Sequence, residues 1–540
     1  MKRTFFRLIC LLLVCALLSG CGLDLSRYTD ALNGLGSSNS SDITPYSEMV
    51  YTRPDMEALE ATLAKSCEAA AGTDLPRIIQ SIYNFYDAYD LFYTNYSLAD
   101  IRYSCDLTDS YWEAECNFCA ENSPRVDAML EELYYALAQS PCLAQLESEK
   151  YFGAGYFDSY QGENNWDEAF TAMLETQSSL ISRYYALAGI GAEFESASEE
   201  YFNACYEGMA QVLVELIALR QDMAAYWGYE DYNQFAYDFY YYRDYDVADT
   251  RSYLTQIRET LVDLYTQMNH SNIWDFAFPS ASELDTYAYV ERTAKAMGGM
   301  VEEAFLAMDQ AGLYDISYGP NKYPSSFEVY LTSYYVPFVF MCPSMTTYDY
   351  LVFAHEFGHF CNDYASYGSY AGVDVLEFFS QGMEYLSLCY GNDSGHLTKM
   401  KMADSLCMYV EQAAYAEFEL RMYDIPQDEL TTDALLALYQ EVADSYGFES
   451  FGYDPREFVT VNHYYTNPLY IISYVVSNDA AMQLYQLEQE SSGAGLACFE
   501  ENLTTGEYYF LSFLNSADLE SPFAEGRIRK VREIFETILG

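Results

Sequence analysis

Residues 354–359 read Ala354-His355-Glu356-Phe357-Gly358-His359. On a helix, His355 and His359 stand four apart, leave from one face and can hold one metal ion. Glu356 follows the first histidine directly and can reach a metal-bound water as general base. The chain has only five histidines (His270, His355, His359, His396 and His463) among 540 residues. With 82 acidic residues, chance supplies roughly 0.007 matches to a His-acid-x-x-His pattern. The preceding Tyr348–Phe353 is apolar and aromatic, and Thr346 with Asp349 three later resembles a capping pair, so the spacing predicts a helix here.

A catalytic zinc site takes three protein ligands and leaves one position open for water. No histidine lies within a few residues after His359, which disfavours a three-histidine site and directs the search for the third ligand to a carboxylate. Asp374–Glu384 reads as a second helix, with Glu377, Ser380, Gln381 and Glu384 forming one polar stripe on an otherwise apolar cylinder. A polar stripe on a buried helix needs a partner, and a metal supplies one. Glu377, 22 residues after His355, is the expected third ligand to one Zn2+ per chain. Glu384 is expected to orient a ligand histidine. His270 and His396 lie in polar surroundings and read as surface residues.

Just upstream, Phe327–Thr332 and Tyr335–Met341 are β-branched and aromatic and read as strands. Pro337 lacks an amide donor, so its strand is expected at an edge or with a bulge. Such an edge beside a reactive centre could pair with an extended peptide. Elsewhere, Met56–Ala71, Val126–Gln139, Asp167–Ala188, Glu199–Trp227, Val247–Met268 and Leu284–Ala311 carry apolar residues at three- and four-residue spacing. With only 14 Pro and 29 Gly, the chain favours long helices.

The first residues form a different unit. Lys2, Arg3 and Arg7 precede an apolar run, Leu8–Leu18, too short to span a bilayer as a mature helix. It ends in Leu18-Ser19-Gly20-Cys21, which resembles the bacterial lipoprotein box. That resemblance implies removal of residues 1–20, lipidation of Cys21 and an extracytoplasmic protein anchored in the cell membrane. Residues 21–45, with an Asn/Ser/Gly stretch, would be the tether. Eleven cysteines remain, an odd number without a disulfide framework, and Cys116-Asn117-Phe118-Cys119 is read as a local disulfide or two free thiols. A net charge of −56 makes nucleic-acid binding very unfavourable, while 51% hydrophobic residues exclude wholesale disorder.

His355-Glu356-Phe357-Gly358-His359 followed by Glu377-Phe378-Phe379-Ser380-Gln381-Gly382-Met383-Glu384 resembles the thimet oligopeptidase and oligoendopeptidase F family of zinc peptidases. His463-Tyr464-Tyr465-Thr466-Asn467-Pro468-Leu469-Tyr470-Ile471-Ile472-Ser473-Tyr474 is similar to that family's distal His-Tyr segment, and Trp227-Gly228-Tyr229-Glu230-Asp231-Tyr232 to the start of its catalytic region. The resemblance implies a mainly α, long-helix fold whose two lobes flank a cleft, with a small sheet edge beside the HExxH helix. It also implies hydrolysis of internal bonds in peptide substrates. A catalytic domain over 215–540 and a helical region over 46–214 are expected. His463 and Tyr470 or Tyr474 would hydrogen-bond substrate and the tetrahedral intermediate, Tyr470 being favoured for the oxyanion. Two departures stand out: Asn362 replaces a frequent extra histidine, and the gap to the third ligand, around Tyr364–Val373, is short. Two further readings are a peptide-binding surface lipoprotein without catalysis, which would need no Glu356, and a zinc carboxypeptidase or dipeptidase. Oligomeric state is not legible in the sequence.

Overall fold

The computed structural model describes residues 43–148, 150–161, 167–191, 194, 197–270, 278–368, 371–392 and 395–540. The signal segment 1–20, Cys21 and all but the last residues of the tether lie outside the described residues.

Helices dominate. α1 (Met56–Ala70), α2 (Leu75–Cys105) and α3 (Ser110–Ala138) open the fold, each started by an aspartate whose side chain accepts first-turn amides. They close a small core of their own, from Leu59 to Phe157, around Phe85, Tyr86, Leu133 and Tyr134. α4 (Glu168–Gly191) and α5 (Glu199–Tyr226) pack as a pair and belong to the larger core that fills the rest of the chain. The larger core also takes in Leu98 and Ile101 near the end of α2, so that helix is shared between the two. α6 (Val247–His270) follows. The single helix expected over Leu284–Ala311 is two, α7 (Glu283–Met297) and α8 (Gly299–Ala311), because Gly298 turns the backbone at φ 73°.

A three-stranded sheet comes next: β1 (Tyr314–Ile316), β2 (Ser326–Leu331) and β3 (Val336–Met341), in the order β1-β3-β2. β3 is the central strand, which corrects the edge expected from Pro337. The proline is tolerated because β1 pairs only Val339–Met341, while Tyr330 of β2 faces Pro337 on the other side. Val339 donates its amide to the Leu313 carbonyl, so Pro337, two residues earlier, points its missing donor where β1 has not begun. β2 pairs antiparallel with β3 alone and forms one edge of the sheet. Helix α2 braces it: Ser333 donates its amide to the Thr94 hydroxyl (2.8 Å), and Tyr323 to the Ser104 carbonyl (2.8 Å).

Behind the sheet lie α9 (Asp349–Ser366) and α10 (Val373–Tyr390), then α11 (His396–Cys407), a π-helical turn (Met408–Gln412) and α12 (Ala413–Met422). A short α13 (His463–Thr466) and the long α14 (Ile471–Glu490) follow. α10 packs along both α9 and α14. Gly358 makes the first contact possible, since a Cβ there would sit 2.4 Å from the Phe379 carbonyl oxygen and 2.7 Å from Ser380 Cα. The α9 entrance is held differently from the expected capping pair: Asp349 accepts from Ser344 (amide 2.9 Å, hydroxyl 2.7 Å) and from the Thr346 amide (3.1 Å). All cysteines among the described residues are free thiols, Cys116 and Cys119 included. No described helix is long and apolar enough to cross a membrane.

Candidate metal centre

α9 carries His355 and His359 on one face, and the Gly358 contact brings α10 close enough for Glu377 to meet them. Their ligating atoms all lie within 4.8 Å of one another, with His355 Nε2 3.6 Å from Glu377 Oε2. Glu377 is fully buried, and His359 Nε2 is buried with no hydrogen-bond partner. An unpartnered imidazole nitrogen beside a buried carboxylate is costly unless something else binds there. Two imidazoles and one carboxylate form the donor set of a catalytic zinc, so the residues fit the ion the sequence implies.

The polar stripe of α10 is now accounted for. Ser380 donates its hydroxyl to Glu377 Oε2 (3.1 Å), and Tyr470, at the start of α14, donates its hydroxyl to Glu377 Oε1 (2.8 Å). Gln381 donates to the Tyr474 carbonyl (3.3 Å). Glu384 Oε1 accepts from His355 Nδ1 (2.9 Å), which leaves Nε2 of that ring for a metal. Glu384 Oε2 accepts from Lys401 Nζ on α11 (2.8 Å).

Electrostatics separate the two histidines. Burial opposes charging of His355, but the Glu384 hydrogen bond and the carboxylates of Glu377, Glu384 and Glu356 outweigh it, pushing its pKa up to about 9. His359 has no such partner; burial and the neighbouring His355 hold it well below the usual imidazole value. Burial lifts Glu356 to about 7, against the opposing pull of His355 and of Ser326, whose hydroxyl donates to Glu356 Oε1 at 2.8 Å. Burial would raise Glu384 too, yet Lys401 and His355 hold it below the ordinary carboxyl value.

A cavity opens on this cluster, and its lining comes entirely from between Ser325 and Tyr474. Phe327, Tyr348 and Val352 line it from β2 and the start of α9, and Lys401, Asp404, Met408 and Gln412 from α11 and the π-helical turn. The small N-terminal core contributes none of its wall.

The distal segment is brought to the same place. Arg220, fully buried on α5, donates to the Tyr464 carbonyl (2.7 Å) and to the Tyr465 carbonyl, and so fixes α13 and His463. His463 Nε2 lies 3.1 Å from the Tyr474 hydroxyl, and burial alone lowers its pKa to about 4, so it is neutral. Tyr474 lines the cavity, whereas the Tyr470 hydroxyl is spent on Glu377. Tyr470 is the tyrosine favoured from the sequence for the oxyanion; the structure places its hydroxyl on Glu377 and that of Tyr474 beside His463. Asn362 donates to the Leu503 carbonyl (2.9 Å) and ties down the end of α9. His270 is exposed at the end of α6, and His396 is half-buried at the start of α11.

Two contributors escaped the sequence reading. Ser326 carries no pattern that separates it from Ser325. Lys401 does: it sits among Leu397, Met400, Met402 and Ala403 on a helix face that is buried, where a lysine is out of place.

Comparison with known proteins agrees with this geometry. Residues 46–165 match the family model of the Peptidase M3 N-terminal domain. Among curated proteins, none matches the chain. Among solved structures, a 3.1 Å X-ray structure of a protein assigned as oligoendopeptidase F shares 20% identity over 92% of this chain and 98% of its own, with a TM-score of 0.79. PZ peptidase A with an inhibitor shares 19% identity over 91% and 98%, with a TM-score of 0.79. A protein assigned as oligoendopeptidase F from Bacillus anthracis str. Ames shares 20% over 92% and 98%, with a TM-score of 0.76. At these identities the likeness is one of fold, and it extends over nearly the whole of each chain.

Proposed function

We propose that the chain is a zinc metallopeptidase of the M3 type that cleaves internal bonds of oligopeptides, tethered to the outer face of a bacterial membrane through Cys21. The observation that carries the catalytic part is the convergence of His355, His359 and Glu377 with Glu356 beside them in one cavity. The fold shared with oligoendopeptidase F and PZ peptidase A structures supports it, as does the N-terminal family match.

His355, His359 and Glu377 would hold the zinc, which when bound polarises a water and the scissile carbonyl. Glu356, kept in place by Ser326, takes the water proton and later delivers it to the leaving amine. Tyr474 offers its hydroxyl to the developing oxyanion, with neutral His463 holding the phenol in position. Tyr470 and Ser380 fix the Glu377 carboxylate instead. The free edge of β2, which begins at Ser326 beside the base, suits main-chain pairing with an extended peptide. A substrate that must reach Glu356 and His359, both buried at the floor of the cavity, is an extended peptide rather than a folded protein. The surplus of acid over base favours cationic peptides, within a screening length of about 8 Å at physiological salt.

Two measurements test the finer points. Mass spectrometry of products from unlabelled peptides distinguishes internal cuts from release of single terminal residues, and the latter alone would replace the endopeptidase reading with a carboxypeptidase or dipeptidase. Mass analysis of the mature N-terminus should find a diacylglyceryl-modified Cys21; an intact or unlipidated N-terminus in a bacterial host would remove the anchor.

A further inference from the structure

We propose that Lys401 is a positioning residue of the metal centre, acting on His355 through Glu384. The inference rests on the zinc reading above and adds a residue outside every motif that led to it.

Lys401 is 1% exposed, and its ammonium has given up water for three neighbours. Glu384 Oε2 lies at 2.8 Å, Asp404 Oδ2 at 4.0 Å, and the face of the Tyr385 ring at 4.9 Å from its centroid. A buried lysine–carboxylate pair is a poor source of stability, since desolvating both charges consumes most of their attraction, and apolar residues of similar volume usually do as well. Geometry offers a better reason for a lysine here. The terminal torsion of a glutamate is broad, so a carboxylate anchored through one oxygen can turn. Glu384 is anchored through both: Oε1 by His355 Nδ1 at 2.9 Å, and Oε2 by Lys401. Its plane is fixed, and the His355 ring, whose Nδ1 it accepts from, is fixed in turn with Nε2 toward Glu377 and His359. Removing groups that orient a metal-binding histidine typically weakens metal affinity by about 10- to 100-fold. Lys401 stands one step further out along the same line, on a helix (α11) that supplies none of the expected ligands.

The test is a double-mutant cycle on zinc affinity, read by competition with a metallochromic chelator on full-length protein. The four proteins are wild type, Lys401→Met, Glu384→Gln and the double variant, each shown by circular dichroism to be folded without metal. Lys401→Met should bind zinc about 10-fold or more weakly, and the double variant no more weakly than Glu384→Gln alone, because Lys401 has no route to the metal once Glu384 is neutral. Wild-type affinity in Lys401→Met, or losses that multiply in the double variant, would overturn the proposal. If Lys401→Met does not fold, Lys401→Leu, which likewise offers Glu384 no donor, takes its place in the cycle under the same criteria. The underlying zinc reading fails separately and visibly, as a wild type that binds no zinc.

Discussion

Replacing Gly358 by alanine puts a single methyl where α9 and α10 touch. The new Cβ would stand 2.4 Å from the Phe379 carbonyl oxygen, 2.7 Å from Ser380 Cα and 3.0 Å from Met383 Cβ. Two of those atoms are backbone, so no side chain can swing aside. Ordinary heavy-atom contact begins near 3.5 Å, and the two helices must part by about 1 Å to restore it. Overpacking of this kind costs about 1–3 kcal/mol. The functional consequence is larger than the stability one. Glu377 lies one turn or less from the clash on α10, and its carboxylate must meet two histidines on α9 within the tolerance of a metal site, about 0.2 Å in ligand distance. Gly358→Ala should therefore lower the urea midpoint of the metal-free protein and weaken zinc binding by at least about 10-fold. Urea unfolding followed by circular dichroism and chelator competition measure the two effects. A variant with the wild-type midpoint and wild-type zinc affinity would refute the claim that this contact sets the ligand geometry.

Three more outcomes follow from individual groups. Glu419 is fully buried, accepts the Leu469 amide at 2.7 Å and leaves Oε2 unpartnered; burial lifts it to about 8 against Leu469, Arg220 and Arg243. Its folded pKa lies above the ordinary glutamate value of 4.5, so the proton contributes stability below that value and the contribution is lost as pH rises through 8. Glu419→Gln should remove a dependence of up to about 4 kcal/mol, flattening the urea midpoint between pH 5 and pH 9 relative to wild type, and parallel curves would contradict it. The two tyrosines should separate kinetically: Tyr474→Phe lowers kcat about 10- to 100-fold with zinc affinity intact, whereas Tyr470→Phe weakens zinc binding, and the reverse assignment would restore Tyr470 to the oxyanion. Ser326→Ala should lower kcat several-fold, on the order of one hydrogen bond to a charged group, with KM and zinc content unchanged; loss of zinc would mean that Ser326 acts on the ligands rather than on the base.

What the sequence discloses and what it withholds divide along physical lines. The helix with His355 and His359 is legible because a helical period and the scarcity of histidine act together on one short stretch, and Glu377 with Glu384 is legible because a polar stripe on a buried helix demands a partner. The 31-residue α2 was not read at all: its tyrosines, from Tyr83 to Tyr103, present both an apolar ring and a polar tip, so they blur the periodicity that marks a buried face. β1 is three residues long and carries no alternation worth reading. Pro337 misled because the rule that bars proline from central strands applies to paired positions, and here the neighbouring strand stops short. Tyr470 and Tyr474 differ by one helical turn, and spacing alone does not disclose that Tyr470 is the one that meets Glu377.

The central claim is that one zinc and Glu356 together hydrolyse peptides in this cavity. The most direct measurement sets wild type against Glu356→Gln, a substitution that keeps the shape and every expected ligand, on a quenched-fluorescent peptide library, with zinc quantified in both. The account predicts about one zinc per chain in each, internal cleavage by wild type that a chelator abolishes, and loss of nearly all activity in the variant. Equal peptide binding with no cleavage by either protein would contradict it and leave a receptor in place of an enzyme.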